Sequence, residues 1–238
     1  ESTLWGGTQN IWGSESEDKR FISFVFGRSI QKGPNGPVEE YTEVLVFDRQ
    51  SESESTYRIS QYRPIVWQRA GYLESTVDND GNVYLLGQDN NRHFIEAYAL
   101  DGERRGTVSF NQRGQDWNES DGTIHKKNEF SKIFIRGNTL YAAGHDYGAT
   151  ALALHRFSLA SDGLRDRGVS HLGGIVTPHE IAVADDSHFI TIYNTAREDH
   201  SYSVVEFSQD GTADRVAGTF RNGGWTNWSS HRNASSHD

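Results

Sequence analysis

Apolar and polar residues alternate along this chain in short runs, and the runs recur in one order: strand, turn, strand, gap, strand, Asp-Gly turn, strand. Strict alternation over about four to eight residues is typical of a β-strand with one buried face. No segment of about ten residues carries the apolar stripe and end signals of a helix. The pattern predicts an all-β chain built of four-stranded units, whose clearest copies are GYLESTVDNDGNVYLLGQD with FIEAYALDGERRGTVSF, EFSKIFIRGNTLYAAGHD with LALHRFSLASDGLRDRGVSHL, and HEIAVADDSHFITIYN with SVVEFSQDGTADRVAGTF.

The repeat also holds at single positions, since Tyr, Gly and Asp recur after 57 residues in two neighbouring units. Asp-Gly pairs at residues 101, 162 and 210 each follow an alternating run, where a hairpin needs residues that tolerate positive φ. Repeats of about fifty residues with four short strands are the pattern of a β-propeller. The matched positions are Gly81-Asn82, Tyr84, Gly87 and Asp89 with Gly137-Asn138, Tyr141, Gly144 and Asp146.

The 238 residues fit a single propeller domain spanning 1–238, with units of approximately 1–64, 65–120, 121–174 and 175–238. In the irregular first unit, RFISFVFG, TEVLVFD and STYRISQY are expected to be strands two to four. Either TLWGGTQNIWG or GGWTNWSS would complete an incomplete blade. Four blades, five blades and a part of a larger propeller all remain compatible with the sequence.

The composition favours a secreted or cell-surface protein. No apolar run is long enough to cross a bilayer. The first residue is Glu and the chain contains no Met, which predicts a processed or excised chain. Three N-x-S sequons, at Asn118, Asn227 and Asn233, would accept glycans on a eukaryotic secretory route. The net charge of −10 argues against nucleic acid as a partner, because phosphate binding needs a basic face.

Three glutamates occupy the same place at the start of the first strand of successive units: Glu74, Glu129 and Glu180. First strands line the central channel of a propeller, so these carboxylates are expected to form a partial ring at one channel mouth, near His179 and His125. Such a ring either binds a cation or raises the pKa of one member. Glutamate oxygens would suit Ca²⁺, whereas the histidines would favour a transition metal. The alternative is a set of hydrated side chains, because a register error of one residue reverses each orientation.

Tryptophans near the unit junctions are the second set of candidate binding residues. Trp12, Trp67, Trp117 and Trp225 fall near these junctions, where they could stack on sugar rings or fill the gaps between neighbouring blades. Trp67, Trp117 and Trp225 are the candidate ligand-binding residues among them. Packing is the default interpretation, because twisted sheets leave wedge-shaped spaces that large flat side chains fill.

The hairpin Asp80-Gly81-Asn82-Val83-Tyr84 resembles the D-G-N-x-Y turn of NHL-like and related bacterial β-propeller repeats. That resemblance implies a strand-turn-strand geometry shared by lyases, lactonases and surface proteins, and it points to no single activity. The preceding Asp78 makes the segment similar to the start of an EF-hand loop, but Asp89 stands where that loop needs a Glu, so a turn is expected.

The chain lacks the motifs of the common nucleophilic, metal-dependent and nucleotide-dependent enzymes. The sequence therefore favours an extracellular binding module, with carbohydrate as ligand or another extracellular protein as partner. The first alternative is a polysaccharide-active hydrolase or lyase in which His179 or Glu180 takes a proton, Glu74 or Glu129 positions the ligand, and Tyr72 donates to a leaving group. The second is a structural propeller within a larger assembly.

Overall fold

The computed structural model describes the residues 4–59, 71–89, 92–110, 117–118, 124–125, 128–146, 151–160, 163–173, 177–183, 188–196, 201–208 and 213–221. Its described side chains lie between residues 12 and 170. Every regular element in this part of the chain is a β-strand. Within it, no helix is long and apolar enough to cross a membrane.

The described strands form four sheets of four antiparallel strands, each sheet connected in sequence order. The first sheet contains β1 (Leu4–Glu15), β2 (Phe21–Lys32), β3 (Val38–Asp48) and β4 (Ser53–Ile59). The second contains β5 (Gly71–Val77), β6 (Val83–Asp89), β7 (Arg92–Tyr98) and β8 (Arg104–Phe110). A short ladder of β9 (Trp117–Asn118) and β10 (Ile124–His125) follows. The third sheet contains β11 (Asn128–Arg136), β12 (Thr139–Asp146), β13 (Ala151–Ala160) and β14 (Gly163–Gly173). The fourth contains β15 (Thr177–Val183), β16 (His188–Ala196), β17 (Ser201–Ser208) and β18 (Ala213–Arg221).

A four-stranded antiparallel meander is the blade of a β-propeller, and the chain is an all-β protein of this class. Each sheet falls inside one of the repeat units that the sequence predicts. In the first unit the predicted strands two to four are confirmed as β2, β3 and β4. The N-terminal run TLWGGTQNIWG contributes β1, which pairs with β2 and completes the first blade. The segment GGWTNWSS lies outside the described residues.

Hairpin turns form where the sequence places residues that accept positive φ. The Asp101-Gly102 turn joins β7 to β8, with Gly102 at φ +86°. The backbone N–H of Ala99 donates to the carbonyl of Glu103 across this turn at 2.8 Å. Between β5 and β6, Gly81 adopts φ +80°. The turn between the first and second strands of a blade and the turn between the third and fourth lie at the same end of the sheet, because every strand pair is antiparallel.

A cluster of buried apolar side chains lies between the first and second sheets. Trp12 packs against it from β1, and Tyr57 and Leu100 are its other half-buried neighbours. This contact supports the packing interpretation for the junction tryptophan of the first blade. The buried members are Phe21, Val25, Val44, Val46, Ile59, Tyr72, Val77, Val83, Leu85, Phe94 and Tyr98.

The chain divides into two compact units. One contains residues 1–113, 133–140 and 157–166, and the other contains residues 114–132, 141–156 and 167–238. The first unit holds the first two blades with parts of the third. The second holds the rest of the third blade and all of the fourth. The single-domain organisation stays a prediction.

An ion pair joins Arg20, which directly precedes β2, to Asp48 at the end of β3. The guanidinium of Arg20 donates to both carboxylate oxygens of Asp48, at 3.0 Å from Nε and 2.7 Å from Nη2. These hydrogen bonds hold the pKa of Asp48 well below its usual range, with a further contribution from the backbone N–H of Gln50. A depressed carboxyl pKa adds stability above the pKa of the unfolded state, and this stability is lost as the pH falls toward the folded pKa.

We therefore expect Asp48→Asn to lower the urea midpoint most at pH 7, with a deficit relative to the unchanged chain that shrinks below about pH 4. Midpoints measured at pH 7, 5 and 3 check this. Glu54→Gln, which neutralises an exposed carboxylate on β4, serves as the control and should leave the pH profile unchanged. A deficit for Asp48→Asn that is the same at pH 7 and pH 3 would contradict the assignment.

Candidate functional site

Glu74 and Glu180 occupy equivalent register positions, as the repeat alignment predicts. Glu74 pairs with Leu86 and Glu180 with Ile192, and in both strands a β-bulge lies one residue earlier. The extra residue is Leu73 in β5 and His179 in β15. A register irregularity also interrupts β1, between residues 9 and 11. A β-bulge changes the direction of the side chains beside it, and bulges occur often near functional sites. The bulges beside Glu74 and Glu180 therefore single out these equivalent positions in the two blades.

The carboxylate ring itself stays a prediction. Glu74 is half-buried in the first compact unit. Glu129 and Glu180 lie in strands β11 and β15 of the second unit, and their side chains are outside the described residues, as are those of His125 and His179. Among the side chains that the structure describes, no group of three acidic or histidine residues could hold a metal ion. The proposed Ca²⁺ ligands are therefore untested.

The three tryptophans assigned to ligand binding cannot be placed by their side chains. Trp67 and Trp225 lie outside the described residues, and Trp117 lies in β9 with its side chain outside them. Their stacking role stays a prediction. Only Trp12 among the junction tryptophans is described with its side chain.

Tyr72, the predicted proton donor, lies in the core. Its side chain is 2% exposed, and its hydroxyl donates to Oε2 of Glu96 at 2.5 Å. Burial, together with the neighbouring Tyr98 and Glu96, raises the pKa of Tyr72 far above the usual range. A phenol held this way keeps its proton inside the blade, which favours a structural role for Tyr72 over donation to a ligand.

Glu96 is the centre of a buried polar network in the second blade. The residue is 0% exposed, yet its carboxylate accepts hydrogen bonds from Tyr72, from Tyr98 at 2.8 Å and from Arg104 at 2.6 Å. Arg104 also donates to the hydroxyl of Thr107 and reaches solvent with 43% of its side chain exposed. Paired and hydrogen-bonded in this way, a carboxylate can be buried at acceptable cost.

The turn between β5 and β6 is organised by Asp78. One oxygen of its carboxylate accepts the backbone N–H groups of Asp80 and Asn82, at 2.9 and 2.8 Å. The other oxygen accepts the side-chain amide of Asn82 at 2.8 Å and the hydroxyl of Tyr84 at 2.9 Å. Burial and the adjacent Asp78 raise the pKa of Tyr84, so the phenol remains a donor. The turn expected for this segment is observed, and both carboxylate oxygens of Asp78 are used in hydrogen bonds within it.

This turn forms the wall of a cavity of about 310 Å³ within the first compact unit. Polar groups of the second blade face it together with the turn of the third blade at Gly137 and Asn138. Its apolar surface comes from both blades. The lining residues are Asp78, Asn79, Asp80, Asn82, Tyr84, Ala97, Arg105, Ile135, Gly137, Asn138, Leu159, Ala160 and Gly163.

A second concavity of about 500 Å³ adjoins the first on the side of the first blade. It is lined by Ser55, Asp80, Asn82, Ala99, Leu100, Asp101 and Arg105. The two concavities share Asp80, Asn82 and Arg105. We call the pair the hairpin groove.

The two exposed charges that border both concavities are Asp80 and Arg105. Within the described part of the chain neither side chain forms a hydrogen bond or an ion pair, although the charge of Asp80 helps to stabilise the guanidinium of Arg20. Asp80 offers two acceptor oxygens and Arg105 offers five N–H donors. Asn138, also exposed, adds an amide with both functions. This combination can bind a polar molecule that both donates and accepts hydrogen bonds.

The sequence predicts the turn but does not reveal the groove. Local pattern alone places Asp80 and Asn138 in hairpin turns and Arg105 in the strand that follows an Asp-Gly turn. The one feature of the sequence that points to the groove is the antiparallel meander, which places the turns of 78–82 and 99–103 at the same end of the strands. The concave shape of this end depends on how the blades pack, and no local sequence pattern encodes it.

No protein-family model matches this chain, and no curated protein matches it. Solved structures similar in fold are β-propeller proteins. The β-propeller domain of the Trilobed protease from Pyrococcus furiosus aligns with 92% of this chain and 59% of its own, at 6% identity and a TM-score of 0.49. Prolyl oligopeptidase B from Galerina marginata aligns with 91% of this chain and 28% of its own, at 11% identity and a TM-score of 0.47.

A GH43 β-1,3-galactosidase aligns with 87% of this chain and 74% of its own, at 13% identity and a TM-score of 0.42. The chain spans less than two thirds of the length of the two proteins named before it. These likenesses concern the fold and assign no residue or activity to the hairpin groove.

Proposed function

We propose that this chain is an extracellular binding module that holds a neutral carbohydrate in the hairpin groove. The observation that carries the proposal is the pair of exposed, opposite charges that border both concavities of the groove, Asp80 and Arg105. A sugar hydroxyl donates to the carboxylate, and a neighbouring hydroxyl accepts from the guanidinium. Hydrogen bonds to charged groups are the stronger kind, so two of them give orientation as well as affinity.

The charges of the groove disfavour an anionic ligand, because Asp78, Asp80 and Asp101 line it and Arg105 is the one cation among its described lining residues. Among the described side chains no group of three acidic or histidine residues could hold a metal ion, so a neutral polar molecule is the proposed ligand. The overall charge of −10 adds to the disadvantage of polyanions such as nucleic acids. Ile135, Leu159 and Ala160, which line the groove and are half-buried, supply the apolar surface that the C–H face of a sugar would cover.

The experiment is a glycan screen of the purified chain, run with calcium and again with chelator. Asp80→Asn and Arg105→Gln should each weaken the binding of a selected glycan by about tenfold, the loss of one charge-assisted hydrogen bond. Glu54→Gln, which removes an exposed carboxylate outside the groove, is the matched control and should bind as the unchanged chain does.

Comparing the screens with calcium and with chelator distinguishes binding in the hairpin groove from binding at the predicted carboxylate ring. Binding in the groove needs no cation, so it should survive chelation. Binding lost on chelation and retained in both groove variants would instead assign the ligand to the predicted ring of Glu74, Glu129 and Glu180. Absence of binding by every glycan in both conditions would overturn the proposal and favour the structural alternative.

A further inference from the structure

The hairpin groove contains two compartments with a common centre. Asp80, Asn82 and Arg105 border both concavities. Asn138 belongs to the compartment on the side of the third blade, and Asp101 belongs to the one on the side of the first blade. Asp80 and Arg105 thus stand between the compartments, and each compartment has a further polar side chain of its own.

Resting on the proposed function, we propose that the groove is specific for an oligosaccharide of at least two consecutive sugar units. One unit occupies the third-blade compartment, the next occupies the first-blade compartment, and the glycosidic linkage lies beside Asp80 and Arg105. A single sugar could use the central groups from one side only. A disaccharide can use them from both sides and reach the two outer groups as well.

The outer groups are accessible. Asn138 and Asp101 are both exposed. The backbone carbonyl of Asn138 accepts from the N–H of Leu159 at 3.0 Å, and within the described residues its side-chain amide forms no hydrogen bond. Asp101 uses one carboxylate oxygen to accept the backbone N–H of Glu103 at 3.0 Å, which leaves the other oxygen for a ligand. Each can hydrogen-bond a hydroxyl of the sugar in its own compartment.

Two glycine turns border the third-blade compartment of the groove. Gly137 has positive φ, and a Cβ built there would meet no atom within 4 Å. At Gly163 the nearest atom to such a Cβ, the carbonyl oxygen of Arg105, is 4.0 Å away. No side chain of these residues closes the third-blade compartment, so a longer chain can continue past it.

The test is calorimetric titration of the full chain with matched pairs of neutral sugars: glucose and cellobiose, mannose and mannobiose, galactose and galactobiose, N-acetylglucosamine and chitobiose. We expect at least one disaccharide to bind about tenfold more tightly than its monosaccharide. Asn138→Ala and Asp101→Ala should each reduce that ratio toward one, whereas Asp80→Asn should weaken both members of the pair. Thermal unfolding of each variant verifies that it is folded.

The outcomes separate the two proposals. Monosaccharide and disaccharide binding within twofold of each other, unaffected by the outer variants and weakened by Asp80→Asn, would overturn the two-unit inference and leave the proposed function standing. No binding by any member of the panel would overturn both.

Discussion

Arg104→Met is expected to lower the free energy of unfolding by about 3 kcal/mol, because it leaves the fully buried carboxylate of Glu96 without its cation. The ion pair is short, at 2.6 Å between Nη2 and Oε1. Breaking a buried pair from one side typically costs about 3 to 5 kcal/mol. The hydroxyls of Tyr72 and Tyr98 remain on the carboxylate, and Arg104 is partly exposed, so the lower end of that range is expected. Urea unfolding followed by circular dichroism measures the change.

The neighbouring arginine provides a matched control. Arg105→Met removes the same chemical group one position along β8, where the side chain is exposed and forms no ion pair within the described residues, and should change the free energy of unfolding by less than about 0.5 kcal/mol. Adding Glu96→Gln to Arg104→Met removes the buried charge and should recover part of the loss, which a double-mutant cycle quantifies. Equal destabilisation by the two arginine substitutions would show that Glu96 does not depend on Arg104.

Gly87→Ala is expected to destabilise the second blade by about 2 kcal/mol through overpacking. Gly87 pairs with Phe94 on β7, and a Cβ built on the glycine would lie 2.3 Å from Cζ of the phenylalanine ring. That ring is 3% exposed and packs edge-on against Tyr72, with the ring centroids 6.1 Å apart. It has no open space to move into, since a buried aromatic covering a strand glycine fills the volume that a side chain would take.

Gly106→Ala is the control for this substitution. The nearest atom to a Cβ at Gly106 is 4.0 Å away, so the free energy of unfolding should stay within about 0.5 kcal/mol of the original value. Shortening the ring in the double variant Gly87→Ala with Phe94→Leu should cost less than the two single changes together. A fully additive double variant, or a Gly87→Ala chain as stable as the original, would contradict the predicted clash.

The blades could be predicted because their signals are local. Alternation and Asp-Gly turns specify a hairpin within about twenty residues, and the turns at Gly81 and Gly102 formed where expected. The same repetition aligned Glu74 with Glu180, and the matching bulges confirm their common register.

The environment of individual side chains could not be predicted in the same way. In β7 every residue after Arg92 is buried, including the polar residues His93 and Glu96, which an alternating pattern of apolar and polar residues would place in solvent. Glu96 would be assigned to solvent from its charge alone, yet it is enclosed with three partners. Both outcomes depend on how neighbouring blades cover the two faces of the second sheet. The groove depends on the same packing, since Asp80 and Arg105 come together with Asn138 of another blade.

The most direct measurement of the central claim is an NMR titration of the isotope-labelled chain with the tightest glycan from the screen. Carbohydrate binding in the hairpin groove predicts backbone amide shifts concentrated at residues 79–82, 101–105 and 137–138, with much smaller shifts in the Asp80→Asn variant at the same subsaturating concentration. Shifts concentrated instead around Glu74, Glu129 and Glu180, with the groove amides unmoved, would contradict it and place the ligand at the predicted carboxylate ring.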